Sequence, residues 1–343
     1  MTSTPLIVTR DDVLLEELLR LCAAAGVVPE VAVDAHAALR SWSGPPLVLL
    51  GSDVVADLAA LTPQRRDGVH VVASADAAPD LLRLALRLGA ETVAELPRAE
   101  AQVIEALSDL GERAPALTVG VVAGSGGAGA STFACALAQL AAVAGPTVLI
   151  DLDPWGAGLD RLLGCESDPG ARWQDLGHTE GRLGARALRE ALPGRGGLGV
   201  LTWAPDETVS LPSVGAREAF AAAQRGHRTM VIDLPRLQDP IVEDVVARCD
   251  HLFVVVHASL TGVAAAGRVC GRWGRAGATS LVVRRPGLGV AEVSEVLGLP
   301  VSAELGTQRG LAEAVDLGVG PIRSRRGPLA RAATAALRVA AVA

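Results

Sequence analysis

The chain has 343 residues, half of them apolar and one fifth charged, so it can bury a large core and does not have the composition of a disordered chain. At roughly 150 residues per domain this length predicts two domains, and the net charge of −7 disfavours a protein whose whole surface binds nucleic acid. No apolar run reaches the ~18–20 residues of a membrane-spanning helix and the first residues lack signal-peptide features, which predicts a cytoplasmic protein.

The first hundred residues alternate short apolar strands with helices. Strands are predicted at Leu6–Thr9, Val27–Val33, Leu47–Leu50, Val69–Ala73 and Glu91–Ala94, and helices at Val13–Ala25 (capped by Asp11 and Asp12), Ala35–Trp42, Pro79–Leu88 and Arg98–Leu110. Strands that alternate with helices form a parallel sheet with helices on both faces. We therefore predict an α/β domain over residues 1–112, followed by a linker at Gly111–Ala116.

A second series of strands and helices follows the linker and predicts another domain over residues 117–343. Its strands are predicted at Leu117–Ala123, Thr147–Leu152, Gly199–Thr202, Thr229–Leu234, His251–His257, Thr279–Val283 and Pro300–Glu304. Most are continuous apolar runs, which are typical of parallel strands that are buried on both faces. The Gly-, Arg- and Pro-rich stretch Gly164–Gly199 predicts a helical insertion with loops.

A glycine-rich segment joins the first of these strands to an alanine-rich helix. Its spacing, G-x-x-x-x-G-x-S over Gly124–Ser131, is that of a phosphate-binding P-loop, in which backbone N–H groups and a helix N-terminus hold phosphate oxygens. The lysine expected after Gly129 is Ala130. The chain contains no lysine and no asparagine at all, and its 31 basic side chains are all arginine. The alternative is a glycine-rich turn that only packs the helix.

Acidic residues end two of the buried strands. Asp151 and Asp153 follow one strand, and Asp233 ends another, in the form of the Walker B carboxylate that holds magnesium through water. A single aspartate at a strand end is more often a turn or a helix cap. Three such features in order on one α/β scaffold favour a nucleotide site.

Together these segments resemble the MinD/ParA branch of the deviant-Walker ATPases. The closer similarity is to the CpaE-like family of actinobacterial septum site-determining proteins, which is related to the TadZ pilus-localisation proteins. The phrases DLDPWGAGLD, RGHRTMVIDLP and LVVRRPG carry it. The resemblance covers residues 1–343, because that family also has a receiver-like domain in front of a P-loop domain with a mostly parallel sheet.

The resemblance implies ATP or ADP with magnesium as cofactors, bound weakly in this chain. Asp153 would orient the attacking water, and magnesium would be held by Ser131, Asp151 and Asp233, partly through water. The nucleotide would be held by Gly124, Ser125, Gly126, Gly127, Ala128, Gly129, Ala130, Ser131, Thr132 and Arg284. Three of these positions depart from the family. The two lysines fall on Ser125 and Ala130, and the asparagine that reads adenine falls on Arg284.

Phosphoryl transfer depends on positioning and charge stabilisation, and a single cation can be worth about 10³–10⁵ in rate. The loss of both lysines therefore predicts weak or absent hydrolysis. The resemblance implies a homodimer that positions a septum or a Tad-type pilus secretion machine, with division or secretion proteins as partners and recruitment to the septum, the pole or the inner membrane face. The alternatives are an active ATPase that partitions cargo on DNA or membrane, and a scaffold that binds no nucleotide.

The first domain resembles a CheY-like, flavodoxin-like receiver that has lost its phosphorylation chemistry. The phospho-accepting position is Gly51 and the lysine position is Leu96, although Asp11, Asp12 and Ser74 fit the acidic and hydroxyl positions. This pattern predicts a pseudoreceiver that docks proteins. The alternative is that Asp53, two residues after Gly51, accepts phosphate in a shifted register.

Two further features of the sequence each have two interpretations. Trp155, beside the acidic residues, is either an exposed interface anchor or a local core residue. The alanine-rich C-terminal segment that follows Arg323–Arg326 is either a final packing helix, which its small apolar face favours, or a membrane-surface helix.

Overall fold

The computed structural model describes residues 4–66, 68–74, 79–108, 110, 116–178, 183–204 and 213–342. The chain divides into two compact units, residues 1–113 and residues 114–343. Most of the predicted linker lies outside the described residues.

In its described residues, the first unit consists of a five-stranded parallel sheet and five helices. Its strands are β1 (Leu6–Val8), β2 (Glu30–Ala32), β3 (Val48–Gly51), β4 (Val69–Ala73) and β5 (Thr92–Glu95), in the order β2-β1-β3-β4-β5. Its helices are α1 (Asp12–Ala24), α2 (Ala35–Ser41), α3 (Val55–Ala60), α4 (Pro79–Leu88) and α5 (Glu100–Ser108). The predicted receiver-like order is confirmed. The short helix α3 was not predicted.

Local polar contacts fix where the first helices begin. The carboxylate of Asp11 accepts hydrogen bonds from the backbone N–H groups of Val13 and Leu14 at the start of α1. Asp34 caps α2 in the same way through the N–H of Ala37. Only Asp11 of the predicted pair caps α1, because Asp12 is already the first residue of the helix.

The second unit contains an eight-stranded sheet in the order β13-β12-β11-β6-β10-β7-β9-β8. Its strands are β6 (Leu117–Ala123), β7 (Thr147–Asp151), β8 (Gly194–Arg195), β9 (Leu198–Leu201), β10 (Thr229–Leu234), β11 (His251–His257), β12 (Thr279–Arg284) and β13 (Val301–Leu305). Its helices are α6 (Ala130–Ala141), α7 (Leu159–Leu163), α8 (Ala185–Ala191), α9 (Ser213–Gly226), α10 (Pro240–Arg248), α11 (Leu260–Trp273), α12 (Val290–Leu297), α13 (Leu311–Asp316) and α14 (Pro328–Ala340). All neighbouring strands are parallel except the β8–β9 hairpin.

Helices cover both faces of this sheet, as the continuous apolar strands predict. Alternate residues of β6 enter two separate cores: Val122 lies in one core, and Val119 and Val121 lie in the other with Phe133 of α6. The central strands β6, β10 and β7 are therefore buried on both sides. Their carboxyl ends lie side by side at one edge of the sheet.

The C-terminal helix α14 packs into the second unit. Leu329, Ala333 and Ala336 are buried in the same core as Phe133. This burial confirms the packing helix. In the described part of the chain, no helix is long and apolar enough to cross a membrane.

Candidate nucleotide site

The glycine-rich loop lies between the carboxyl end of β6 and the start of α6. Gly127 and Gly129 have φ of +72° and +96°, values that favour glycine. Gly124 is required for a different reason: a Cβ atom there would lie 2.7 Å from the Cβ of Ala266. These three glycines give the loop its path onto the N-terminus of α6.

Neither residue at the predicted lysine positions supplies a positive charge near the loop. Ala130 is 6 % exposed and packs into the core beneath the loop, and Ser125 is half-buried. The backbone N–H groups at the start of α6 and the helix dipole remain available to an anion.

Two arginine side chains lie against the loop in place of the lysines. Arg284, the last residue of β12, donates from Nη1 to the carbonyl oxygen of Gly127 at 2.7 Å. Arg236, which follows β10, brings Nη2 to 3.7 Å from the position a Cβ on Gly126 would take. Arg284 stands where the resembled family has its asparagine, and its guanidinium lies against the glycine-rich loop. Its contact with a nucleotide stays a prediction.

Asp151 ends β7 and is almost completely buried. Its carboxylate accepts hydrogen bonds from Thr202 Oγ1 at 2.8 Å, Asp153 N at 3.1 Å and Leu159 N at 3.3 Å. Burial raises the pKa of this carboxyl to about 6, and the three donors oppose that rise. Because both oxygens are engaged by the protein, Asp151 also holds the start of α7 beside the site.

Asp233 and Ser131 are two of the three residues predicted to hold magnesium, and they lie near each other. Asp233 lies directly beside Asp151 in the paired strands β10 and β7, and the nearby Ser131 hydroxyl favours the charged form of its carboxylate. Burial raises its pKa to about 7, and repulsion from Asp151 and Asp153 adds to that rise. A divalent cation would relieve this repulsion.

A hydroxyl and one carboxylate suit Mg²⁺, which is held by few protein oxygens and keeps several waters or phosphate oxygens. Among the described residues, no group of three His, Cys, Asp or Glu side chains is arranged to hold a metal ion by itself. The residues present therefore fit magnesium that arrives with a phosphate ligand, with Ser131 and Asp233 as its protein contacts. The predicted contact of Asp151 would run through water, because both of its carboxylate oxygens accept hydrogen bonds within the chain.

Asp153 lies in a turn just beyond β7. Its Oδ1 accepts the backbone N–H of Trp155 at 3.1 Å, and its carbonyl oxygen accepts the N–H of Gly156 at 3.0 Å. Trp155 is 84 % exposed, so the interpretation of Trp155 as a local core residue was wrong. The segment from Asp153 to Gly158 forms an exposed loop next to the acids, and we call it the switch loop.

The first unit has a comparable polar cluster where a receiver would be phosphorylated. A Cβ on Gly51 would lie 2.4 Å from Asp53 Oδ1. The two oxygens of Asp53 accept hydrogen bonds from Thr9 Oγ1 and Arg10 N, each at 2.8 Å. Asp53 therefore fills the space of the missing acceptor, and the lysine position, Leu96, is buried and apolar.

Comparisons with known proteins agree with this architecture. The model of the family described as "Rv3660c-like, CheY-like N-terminal domain" matches residues 8–117. The uncharacterised protein Rv3660c of Mycobacterium tuberculosis is 35 % identical over 339 residues, which covers 96 % of this chain and 95 % of that protein. This chain belongs to the Rv3660c-like family.

Solved structures resemble the second unit of this Rv3660c-like chain. A ParA family ATPase from Chlorobium tepidum has a TM-score of 0.55 at 17 % identity, covering 64 % of this chain and 96 % of that one. The septum site-determining protein MinD of Pyrococcus horikoshii, solved with Mg-ADP, has a TM-score of 0.52 at 16 % identity, covering 65 % and 93 %. At these identities the similarity shows the fold, which is that of the MinD/ParA proteins.

Sequence reasoning missed two residues that hold the site of this Rv3660c-like chain together. Thr202, just after β9, bonds to the carboxylate of Asp151, and Trp173 donates from Nε1 to the Asp151 carbonyl oxygen at 2.7 Å. A polar residue at the end of a neighbouring strand was the available signal for Thr202. Trp173 lies in the insertion, where the sequence offered no signal of a contact with the acids.

Proposed function

We propose that this chain is a spatial regulator that binds ATP or ADP with magnesium at the glycine-rich loop and hydrolyses it slowly or not at all. One observation carries the proposal: the Ser131–Asp233 pair stands at the loop while Ser125 and Ala130 occupy both lysine positions. The groups that would bind phosphate and magnesium are present. The two lysines that accelerate phosphoryl transfer in the resembled family are absent, and the arginines at the loop replace a lysine's point charge only in part.

In this proposal each group in the chain has a separate role. The backbone N–H groups from Gly126 to Thr132 hold phosphate oxygens, and Ser131 with Asp233 holds magnesium, which would neutralise charge on the phosphates. Asp153 orients a water molecule. Within the described chain only Oδ1 of its carboxylate accepts a hydrogen bond, so Oδ2 can contact the water. Without lysine, the transition-state charge is poorly stabilised, so binding persists while turnover falls.

The cellular role that fits this chemistry is the positioning of a septum or of a Tad-type pilus secretion machine, as the CpaE-like resemblance implies. The MinD protein that shares the fold is named for septum-site determination and was solved with Mg-ADP. The pseudoreceiver would dock division or secretion proteins. The protein would act in the cytoplasm, with recruitment to the septum, the pole or the inner face of the membrane.

We further propose a homodimer in which Trp155 anchors the contact between subunits. A tryptophan exposed to 84 % on a loop beside the site is a candidate for burial in an interface. Because Ser125 cannot reach across to the partner's phosphates, the dimer would depend only weakly on ATP.

Light scattering with and without nucleotide tests whether the protein is a dimer and whether the dimer needs ATP. Trp155→Ala should give monomers. Leu260→Ala, a matched control at a side chain that is 79 % exposed, should leave the dimer intact. A wild-type protein that is monomeric, or that forms dimers only with ATP, would refute the proposal.

The nucleotide proposal is tested by titrating the whole protein with a fluorescent ATP analogue, with and without magnesium. We expect saturable binding that magnesium strengthens. Ser131→Ala should remove the magnesium effect, whereas Ser302→Ala, which deletes a hydroxyl from the edge strand β13, should not. Phosphate release should stay near the background rate.

Two results would replace the proposal with one of its alternatives. Absence of nucleotide binding under all conditions would leave the scaffold. Rapid magnesium-dependent phosphate release that Asp153→Ala abolishes would establish an active ATPase.

A further inference from the structure

The second unit contains a cavity of about 640 Å³ that takes no part in the nucleotide site. Helix α6 connects the two places: it begins at the glycine-rich loop, and its last residues, Gln139 and Leu140, line the cavity. The other walls come from the end of α7, the β8–β9 hairpin and the segment 317–325. The volume is within the ~300–1,000 Å³ range of small-molecule sites.

Aliphatic side chains form the inside of this cavity. Leu163, Leu198 and Val200 line it and are buried, while Val143 and Leu317 line it with 59 % and 63 % of their surface exposed. Exposed apolar side chains that converge on one concavity are typical of a binding site. The lining contains no aromatic residue on which a base could stack.

Within the described part of the chain, the charged side chains that line the cavity are all arginines. They are Arg195, Arg323 and Arg325. Arg195 and Arg323 form ion pairs outside the cavity, with Asp168 at 3.6 Å and Glu313 at 3.2 Å. Arg325 is exposed and makes no hydrogen bond or ion pair within the described part of the chain. In a chain with a net charge of −7, this site would attract an anion.

The wall that carries Arg323 and Arg325 is held in place without a ligand. Gln139 on α6 donates from Nε2 to the carbonyl oxygen of Val319 at 3.2 Å and accepts the N–H of Ile322 at 3.0 Å. These two bonds tie the segment 317–325 to α6. The cavity is therefore preformed, and a ligand would not have to order it.

We propose that this cavity binds a single acyl chain that ends in a carboxylate or phosphate. The acyl chain would lie against the aliphatic walls. The anion would pair with Arg325, which, unlike Arg195 and Arg323, has no ion pair within the described chain. Cys165, on the wall, would stay a neutral, apolar thiol, because burial raises its pKa to about 11. The proposal for this cavity does not depend on the proposed nucleotide binding, and the two are tested separately.

The test is calorimetric titration of the full chain with decanoate, below its micellar concentration, and with decyltrimethylammonium, which has the same chain and the opposite charge. We expect saturable binding of decanoate only. Arg325→Glu should weaken it by about fivefold or more, the factor that ~1 kcal/mol represents. Val143→Trp should abolish it by filling the mouth of the cavity.

Two matched variants control for charge and bulk. Arg268→Glu makes the same charge change on α11, and Val296→Trp adds the same bulk at an exposed position of α12; neither residue lines the cavity. Both should bind decanoate like the wild type, and unchanged melting temperatures should show that all four variants fold. If Val143→Trp does not fold, Arg325→Glu alone decides.

Sedimentation with phosphatidylglycerol vesicles distinguishes a free ligand from a membrane lipid. Binding of decanoate without sedimentation supports a free acyl anion, and sedimentation that Arg325→Glu prevents supports the acyl chain of a lipid. Equal binding of decanoate and decyltrimethylammonium, decanoate binding that is unchanged in Arg325→Glu, or no binding of decanoate would each overturn the proposal.

Discussion

The hydrogen bond from Trp173 to the candidate nucleotide site can be isolated with a pair of tryptophan variants. Trp173 is fully buried and donates from Nε1 to the carbonyl oxygen of Asp151 at 2.7 Å. Trp203 lies next to it, with ring centroids 5.8 Å apart, but its buried Nε1 has no partner among the described residues. Replacing either tryptophan with phenylalanine removes an indole N–H, and only Trp173→Phe removes a hydrogen bond.

The size of the effect follows from that difference. Both substitutions lose the packing of part of an indole ring, and this loss is similar for two neighbouring buried rings. Trp173→Phe also leaves the Asp151 carbonyl oxygen without this donor, at a cost of ~1–3 kcal/mol, whereas Trp203→Phe removes a donor that is already unpaired. We therefore expect Trp173→Phe to destabilise the second unit by about 2 kcal/mol more than Trp203→Phe does.

Urea unfolding of the two variants and the wild type, followed by far-ultraviolet circular dichroism, measures this difference. The midpoint of unfolding should shift to a lower urea concentration in Trp173→Phe, while the dependence of the unfolding free energy on urea concentration stays the same. Nucleotide affinity should also fall in Trp173→Phe, because the carbonyl belongs to the strand end that carries the acids. Equal free energies of unfolding for the two variants would show that the bond contributes nothing.

Other parts of the molecule give further expectations. Ala130→Lys should tighten nucleotide binding by about tenfold or more if the loop binds phosphate, since one charge-assisted contact is worth ~1.5–3 kcal/mol; an unchanged affinity in the titration would contradict this. Acetyl phosphate should add no phosphoryl group to the first unit, because Gly51 holds the acceptor position and both oxygens of Asp53 are engaged; a mass shift mapped to Asp53 would contradict it. Burial lowers the pKa of His227 to about 4, below the usual 6.5, so stability should be lost as the pH falls from about 6.5 towards 4, where the unfolded chain takes up the proton first. His227→Asn should flatten this part of the profile in acid unfolding experiments, and an unchanged profile would exclude His227 as its cause.

Much of the fold was predictable from the sequence because its signals are local. The apolar runs of β6 and β10 indicated strands buried on both faces, and the structure confirms this with a helical layer on each side. Helix α3 (Val55–Ala60) was missed because six residues span less than two turns and give little periodicity. The short β8 strand was missed for a related reason: two residues pair only because the hairpin folds back onto β9.

The sequence by itself determined the loop spacing, the strand-end acids and the loss of every lysine, because these are properties of residue type and order along the chain. It could not determine that Arg236 and Arg284 lie against the loop, or what holds the acids. Arg284 meets Gly127 across 157 residues, and Thr202 meets Asp151 across 51. Only the tertiary structure decided these contacts, because the order of the strands in the sheet sets which strand ends become neighbours, and no local pattern encodes that order.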